Sequence, residues 1–248
     1  MSRETAILLA AGQGMRMRPL TQTVPKPLIR VNGSTLIETV IHGLRERGVQ
    51  EICVVTGYLK EQFHFLKETY SGITLVENQD YMEKNNISSL YAAREMLGGA
   101  DCFICEADLY VRDNQVFELA GGCPVSCYLG EKAEDDTDDW VFQTEGKRII
   151  GISKGGKGDF CMTGISCWKK KDALHIRKAL EKAYLTEGSG NLFWDEVVDR
   201  ELNRIHVAVC TVAHGSITEV DTPEQLRRLE RTLQNSVFPK DAGKEEGR

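Results

Sequence analysis

The 248-residue sequence predicts an α/β fold, with a mostly parallel central sheet flanked by helices and a small antiparallel region. Three observations carry this expectation. Apolar runs alternate with amphipathic stretches through the first half, as they do where helices cover a parallel sheet. Between about 125 and 168 the runs read instead as strands of a more antiparallel region. No repeat or low-complexity linker breaks the chain, so residues 1–234 are expected to form one domain with a lid at about 125–168.

The elements follow in order. Residues 5–11 read as the first strand and end in a glycine-rich turn. A helix begins near Ser34, because Thr35 and Glu38 have capping-box spacing and Leu36, Ile37, Val40, Ile41 and Leu44 form an apolar face. Gly48 sits where a C-terminal cap belongs. Strands are expected at 52–56, 73–76 and 102–107, with helices at 61–68 and 86–97 between them. Further strands are expected at 125–129, 141–144, 149–153, 162–168 and 205–212, and helices at 169–185 and 192–202. The last helix, 223–233, has Thr222 at its N-cap and Pro223 at its first position. The polar residues 235–248 read as a flexible tail.

Composition narrows the function. Hydrophobic residues make up 41% and charged residues 27%, which is ordinary for a globular protein. The short apolar start lacks the length of a membrane span and the flanks of a secretory signal, so no membrane insertion is expected and the cytoplasm is the expected compartment. A net charge of −6 disfavours nucleic acid as partner but allows a nucleotide, which needs few cations. Cys102 and Cys105 lie three apart on a strand, so their thiols face opposite sides. The eight cysteines read as mostly reduced core residues, and no zinc site is expected.

The most informative segment runs Leu9-Ala10-Ala11-Gly12-Gln13-Gly14-Met15-Arg16, followed by Pro25-Lys26-Pro27-Leu28. Small residues after a strand let backbone N–H groups approach an anion closely. Arg16 adds a planar fork for phosphate oxygens and Lys26 a compact charge. A glycine turn alone is a weak signal, but the six-residue dinucleotide fingerprint is absent and no Gly-Lys-Ser/Thr follows to make a Walker loop. Asp108 ends the strand at 102–107, where a parallel sheet opens its ligand crevice and a carboxylate can hold Mg²⁺. Asp221, just before the last helix, is the second candidate ligand, with an N-terminal capping role as its competitor, and Glu106 shares the strand face of Asp108. Asn86 and Ser88 open a helix, where either capping or ligand contact would suit them.

Together these segments resemble the sugar-phosphate nucleotidyltransferase superfamily, with its L-A-A-G-x-G-x-R…P-K-P-L and V-D-T-P-E-x-L patterns. The resemblance implies a Rossmann-like nucleotidyltransferase fold. It implies that Leu9, Ala10, Ala11, Gly12 and Gly14 wrap the triphosphate and that Arg16 meets its outer phosphates. Lys26 would sit by the reacting phosphate, Asp108 and Asp221 would bind Mg²⁺, and Asn86 and Ser88 would read the base.

Within that superfamily the segments 57–63, 85–91, 192–195 and 219–230 are most similar to bacterial CTP:phosphocholine cytidylyltransferases. CTP and phosphocholine are therefore the expected substrates, giving CDP-choline and pyrophosphate. A quaternary ammonium is recognised by aromatic faces and nearby carboxylates. Trp140, Phe193, Trp194 and Asp195 are the residues expected to enclose it, and the resemblance implies that Lys154 touches the acceptor phosphate. Two consecutive helical aromatics project about 100° apart, so Phe193 and Trp194 would be two walls rather than a stack. 2-Aminoethylphosphonate and a sugar 1-phosphate are rival acceptors, and a non-catalytic nucleotide sensor is the rival of another class. None of the five histidines stands in a chemical motif.

Overall fold

The computed structural model describes residues 3–134, 136–186 and 188–237. The first half contains β1 (Glu4–Ala10), β2 (Arg30–Val31), β3 (Ser34–Thr35), α1 (Leu36–Glu46), β4 (Glu51–Thr56), α2 (Phe65–Thr69), β5 (Ile73–Glu77) and α3 (Ile87–Ala92). It continues with β6 (Asp101–Glu106), β7 (Leu109–Val111) and α4 (Gln115–Gly122). The second half contains β8 (Ser126–Lys132), β9 (Thr137–Glu145), β10 (Arg148–Gly156), β11 (Phe160–Trp168), α5 (Lys170–Tyr184), α6 (Trp194–Asp199), β12 (Val207–Thr211), β13 (Ile217–Glu219) and α7 (Pro223–Val237).

Nine strands form one sheet in the order β5-β4-β1-β6-β11-β8-β12-β10-β9. β5, β4, β1 and β6 are mutually parallel, and β11 enters antiparallel between β6 and β8. β9 also pairs with the start of β11 at Phe160↔Phe142, so this end of the sheet curls back on itself. Strand alternation divides the apolar residues between two faces. Ala6, Leu8 and Ala10 of β1 join α1 and α4, whereas Ile7 and Leu9 join α3, α5 and α6. Cys105 and Cys102 separate in the same way. A third cluster seats α7 on Met17, Val31 and Leu36.

Thr35 and Glu38 form the expected capping box: Thr35 N–H donates to Glu38 Oε2 at 2.9 Å, and the Thr35 hydroxyl accepts from Glu38 N–H at 3.4 Å. Within the antiparallel region expected at about 125–168, β8 and β11 are interior strands of the large sheet, and β9 and β10 form its far end. Other expectations need correction. The helix expected at 86–97 stops at Ala92 and resumes as a 3₁₀ turn, because the Tyr91 carbonyl accepts from Ala93 N–H and from the Arg94 guanidinium. The helix expected at 61–68 starts as a 3₁₀ turn at Lys60–Phe63, and the one expected at 192–202 is the shorter α6. The tail expected at 235–248 begins inside α7, and residues 238–248 lie outside the described residues. Among the described residues no helix is long and apolar enough to cross a membrane.

Candidate active site

β1 and β6 end side by side, and the loops that follow them open a cleft of about 570 Å³ beyond the C-terminal edge of the parallel strands. Leu9, Ala10, Ala11, Gly12 and Gly14 line one wall. Gly14 is required there twice over. Its φ of +60° belongs to the left-handed region, and a Cβ would stand 2.9 Å from Lys26 Cβ and 3.0 Å from Thr21 Cγ2. Its carbonyl accepts from the Thr21 hydroxyl at 2.8 Å and from Met17 N–H at 2.9 Å, which ties the loop down on both sides.

Lys26 leads a 3₁₀ turn and is only 6% exposed. Its Nζ lies 2.5 Å from Asp108 Oδ2 and 2.6 Å from Asp221 Oδ1, and Arg16 Nη2 lies 2.7 Å from the same Asp221 oxygen. Burial opposes a charge on Lys26, but the two carboxylates outweigh it and hold its pKa above the usual lysine value. Burial likewise opposes ionisation of Asp221, and Lys26 and Arg16 overcome it, so its carboxyl titrates below the usual range.

Asp108 and Asp221 are 113 positions apart by their numbers, and a short strand pair brings them together. β13 pairs antiparallel with β7, matching Glu219 to Leu109, and Val220 N–H donates to the Asp108 carbonyl at 3.3 Å. Asp108, Glu219 and Asp221 consequently present carboxylate oxygens within 4.8 Å of one another. Asp108 Oδ1 is buried without a hydrogen-bond partner. An unpartnered carboxylate oxygen beside two further carboxylates fits a hard divalent cation such as Mg²⁺, which takes oxygen ligands. Glu219 is an exposed residue of the cleft, and partial desolvation there, with the Asp108 and Asp221 carboxylates nearby, pushes its pKa up to about 8. Glu106 is also raised well above the carboxylate range, first by burial and then by Asp108.

A second group of side chains lines the same cleft. Trp140 of β9 and Lys154 of β10 are register partners, and the Trp140 and Phe193 rings meet edge to face at 5.2 Å. The Lys154 ammonium lies over the Phe193 ring at 4.7 Å, so this ring face accommodates a cation. Asp195 is 2% exposed, accepts from the Tyr128 hydroxyl at 2.9 Å, and has its pKa raised to about 7 by burial. Asn86 connects the two groups: its Nδ2 donates to Glu106 at 3.4 Å and its Oδ1 accepts from Trp194 N–H at 3.1 Å.

The sequence-derived candidates Arg16, Lys26, Asn86, Ser88, Asp108, Trp140, Lys154, Phe193, Asp195 and Asp221 all line this cleft. Trp194 does not. It begins α6 while Phe193 precedes the helix in extended conformation, so the two are not consecutive helical residues. The Trp194 indole is 4% exposed and packs in the core against Tyr128 and Trp168 at 5.8 and 6.1 Å. Neither Asn86 nor Ser88 caps α3 with its side chain; Ser88 donates to the Asn85 carbonyl at 2.7 Å and accepts from Asn78 at 2.9 Å. Sequence reasoning missed Asn78, Lys84 and the ligand-type position of Glu219, while Asp138 and Asp139, which also line the cleft, belong to an acidic run that reads from sequence either as attracting a cationic headgroup or as a solvated loop. For Glu219 a signal existed, since it stands two residues before Asp221 as Glu106 does before Asp108.

Comparison with known proteins identifies the family. The profile of the MobA-like NTP transferase domain matches residues 6–185. The chain is 44% identical over 225 residues to a 2-aminoethylphosphonate cytidylyltransferase of Lancefieldella rimae, covering 90% of this chain and 91% of the relative. It is 38% identical over 234 residues to a choline-phosphate cytidylyltransferase of Streptococcus pneumoniae, covering 93% and 98%. The solved structure of CTP:phosphocholine cytidylyltransferase from Streptococcus pneumoniae superposes with a TM-score of 0.86 at 36% identity, covering 93% of this chain and 99% of that one. A family profile that matches residues 6–185, most of the chain, together with relatives 44% and 38% identical to it, shows that this protein belongs to the nucleotidyltransferases with a MobA-like NTP transferase domain.

Proposed function

We propose that the chain transfers a cytidylyl group from CTP to a small zwitterion that carries a phosphonyl or phosphoryl group at one end and an ammonium at the other. The favoured acceptor is 2-aminoethylphosphonate. The observation that carries this reading is the pairing within one cleft of Arg16 and Lys26 with a second group made of Asp195, Trp140 and Phe193. The first suits phosphate oxygens and the second a cation. With Trp194 in the core, two aromatic walls remain, while Asp138, Asp139 and Asp195 line the same space. A primary ammonium has three N–H donors for such carboxylates and a quaternary one has none. The 44% identity to a 2-aminoethylphosphonate enzyme supports the same choice. Phosphocholine is the second reading, favoured by the Trp140–Phe193 pair and its cation-accepting ring face.

In the proposed reaction an acceptor oxygen attacks the α-phosphorus of CTP. The new O–P bond forms as the bond to the β-phosphate oxygen breaks, and pyrophosphate leaves with that electron pair. The attacking group is already an anion, so no base is needed to remove a proton. Gly12 and Gly14 let the backbone approach the triphosphate, and the Arg16 guanidinium offers its fork to the outer phosphate oxygens. Lys26, kept charged by its carboxylate neighbours, stabilises charge at the reacting phosphate. Asn86 lines the space for a base, and the buried, mutually hydrogen-bonded Asn78 and Ser88 form the wall behind it. Asp108 and Asp221, with Glu219 beside them, would hold Mg²⁺, which when bound neutralises phosphate charge and orients the triphosphate.

Pyrophosphate release measured with CTP, UTP, dTTP and GTP against 2-aminoethylphosphonate, phosphocholine and glucose 1-phosphate tests the proposal. The highest kcat/KM is expected for CTP with 2-aminoethylphosphonate. A higher value with phosphocholine would select the second reading. Preference for the sugar phosphate, or no release in any combination, would refute both.

A further inference from the structure

Cys123, Cys127 and Cys210 converge on the face of the sheet that α1 and α4 cover, and none of them lines the cleft. Cys127 stands at the start of β8, and its register partner on β12 is Ala208. Cys210, two residues further along β12, therefore points to the same face as Cys127. Cys123 follows the last turn of α4, which packs on that face, and it completes the group. The three sulfurs lie within 4.8 Å of one another. Cys127 is fully buried while Cys123 and Cys210 are half-buried, so the cluster can be reached from solvent along one side.

We propose that Cys123, Cys127 and Cys210 form a three-thiolate site for a thiophilic d¹⁰ cation, with trigonal Cu(I) as the best fit. A cation bonded to three sulfurs at ~2.3 Å holds them ~4 Å apart, close to the spacing already present. Thiolates select Cu(I) and Zn²⁺ over hard cations. Zn²⁺ usually requires a fourth ligand, and no His, Asp or Glu joins this group among the described residues. A Cys127–Cys210 disulfide fits poorly: a two-residue offset between adjacent strands separates Cα atoms by ~8 Å, beyond the ~7 Å limit for a bridge. Three thiols release three protons as they ligate, so affinity should rise with pH.

The full chain, reduced and stripped of metal, is titrated without oxygen with Cu(I) against a chromogenic Cu(I) chelator, and in parallel with Zn²⁺. One equivalent of Cu(I) is expected to be retained with a thiolate-to-copper charge-transfer band in the near ultraviolet. Cys123→Ser and Cys210→Ser should each weaken retention by at least about tenfold, since even losing an outer-shell partner of a ligand costs about that much. Cys161→Ser, which changes a half-buried thiol outside the cluster, should bind as the parent does. Circular dichroism of each variant separates ligand loss from unfolding. Undiminished Cu(I) retention in folded Cys210→Ser, or retention of Zn²⁺ but not Cu(I), would overturn the assignment.

Discussion

Lys26 occupies the point at which buried charge would otherwise be least tolerable, for without its ammonium Asp108 and Asp221 would face each other with only Arg16, paired to Asp221, to offset them. The same side chains are proposed to serve the nucleotide and its cation. Asp108→Ala should therefore lower turnover by about a hundredfold or more, in line with removal of a central charge stabiliser; steady-state rates near those of the parent would remove Asp108 from the mechanism. Asp195 permits a pH experiment. Burial raises its folded pKa to about 7 from an ordinary 3.8, so between those values the folded chain keeps a proton that the unfolded chain has released. Stability through this carboxyl is accordingly lost as pH rises through that window. Asp195→Asn keeps a neutral acceptor for the Tyr128 hydroxyl, so its melting temperature should gain on the parent's from about pH 4 to about pH 7 and hold a constant gap above that. The variant should also lose kcat/KM for an ammonium-bearing acceptor. A gap already constant from about pH 4 to about pH 7 would mean that Asp195 does not titrate in this range.

Elements whose signals are local were readable in the sequence. Thr35 and Glu38 announce the start of α1, and strict alternation along β1 and β6 divides their side chains between two faces. α4 was not readable: eight residues ending in Gly121-Gly122 have low helix propensity and barely two turns of periodicity. β7 and β13 have three residues each, too few to show a period of two, although their pairing brings Asp108 to Asp221. The interface of α1 and α4 allows a direct test at Gly43, where an added Cβ would run into the Phe117 ring. Helix propensity alone would favour Ala by ~1 kcal/mol. Overpacking a tight core typically costs ~1–3 kcal/mol, so the net effect of Gly43→Ala should be a lower melting temperature. Adding Phe117→Leu should recover part of the loss. Stabilisation by Gly43→Ala alone would show that α4 yields freely.

At the scale of the molecule the cleft is assembled by topology, which spacing alone does not disclose. The sequence placed the chemistry at the loop after β1, at Asp108 and at Asp221, but not the rotation of α6 that turns Trp194 into the core beside Tyr128 and Trp168. The same topology concentrates charge. Glu106, Asp108, Asp138, Asp139, Asp195, Glu219 and Asp221 line the cleft against Arg16, Lys26, Lys84 and Lys154, seven carboxyls facing four bases in a chain of net charge −6. Desolvation keeps Glu106 and Glu219 largely protonated near neutral pH, so a triphosphate entering alone meets bases already matched by Asp108, Asp138, Asp139 and Asp221, while one entering with a divalent cation brings the charge that Asp108, Glu219 and Asp221 can ligate. CTP without a divalent ion should therefore raise the melting temperature only slightly, and CTP with Mg²⁺ much more. At a hundredfold excess over Kd the bound complex stabilises by about 2.7 kcal/mol. For a chain of this size that corresponds to roughly 5–10 °C. Asp108→Ala should shrink the Mg²⁺-dependent part of the shift while leaving the shift from CTP alone unchanged or larger, since it removes one negative charge. Equal shifts with and without the divalent ion would show that Arg16 and Lys26 suffice to hold the triphosphate against the surrounding carboxylates.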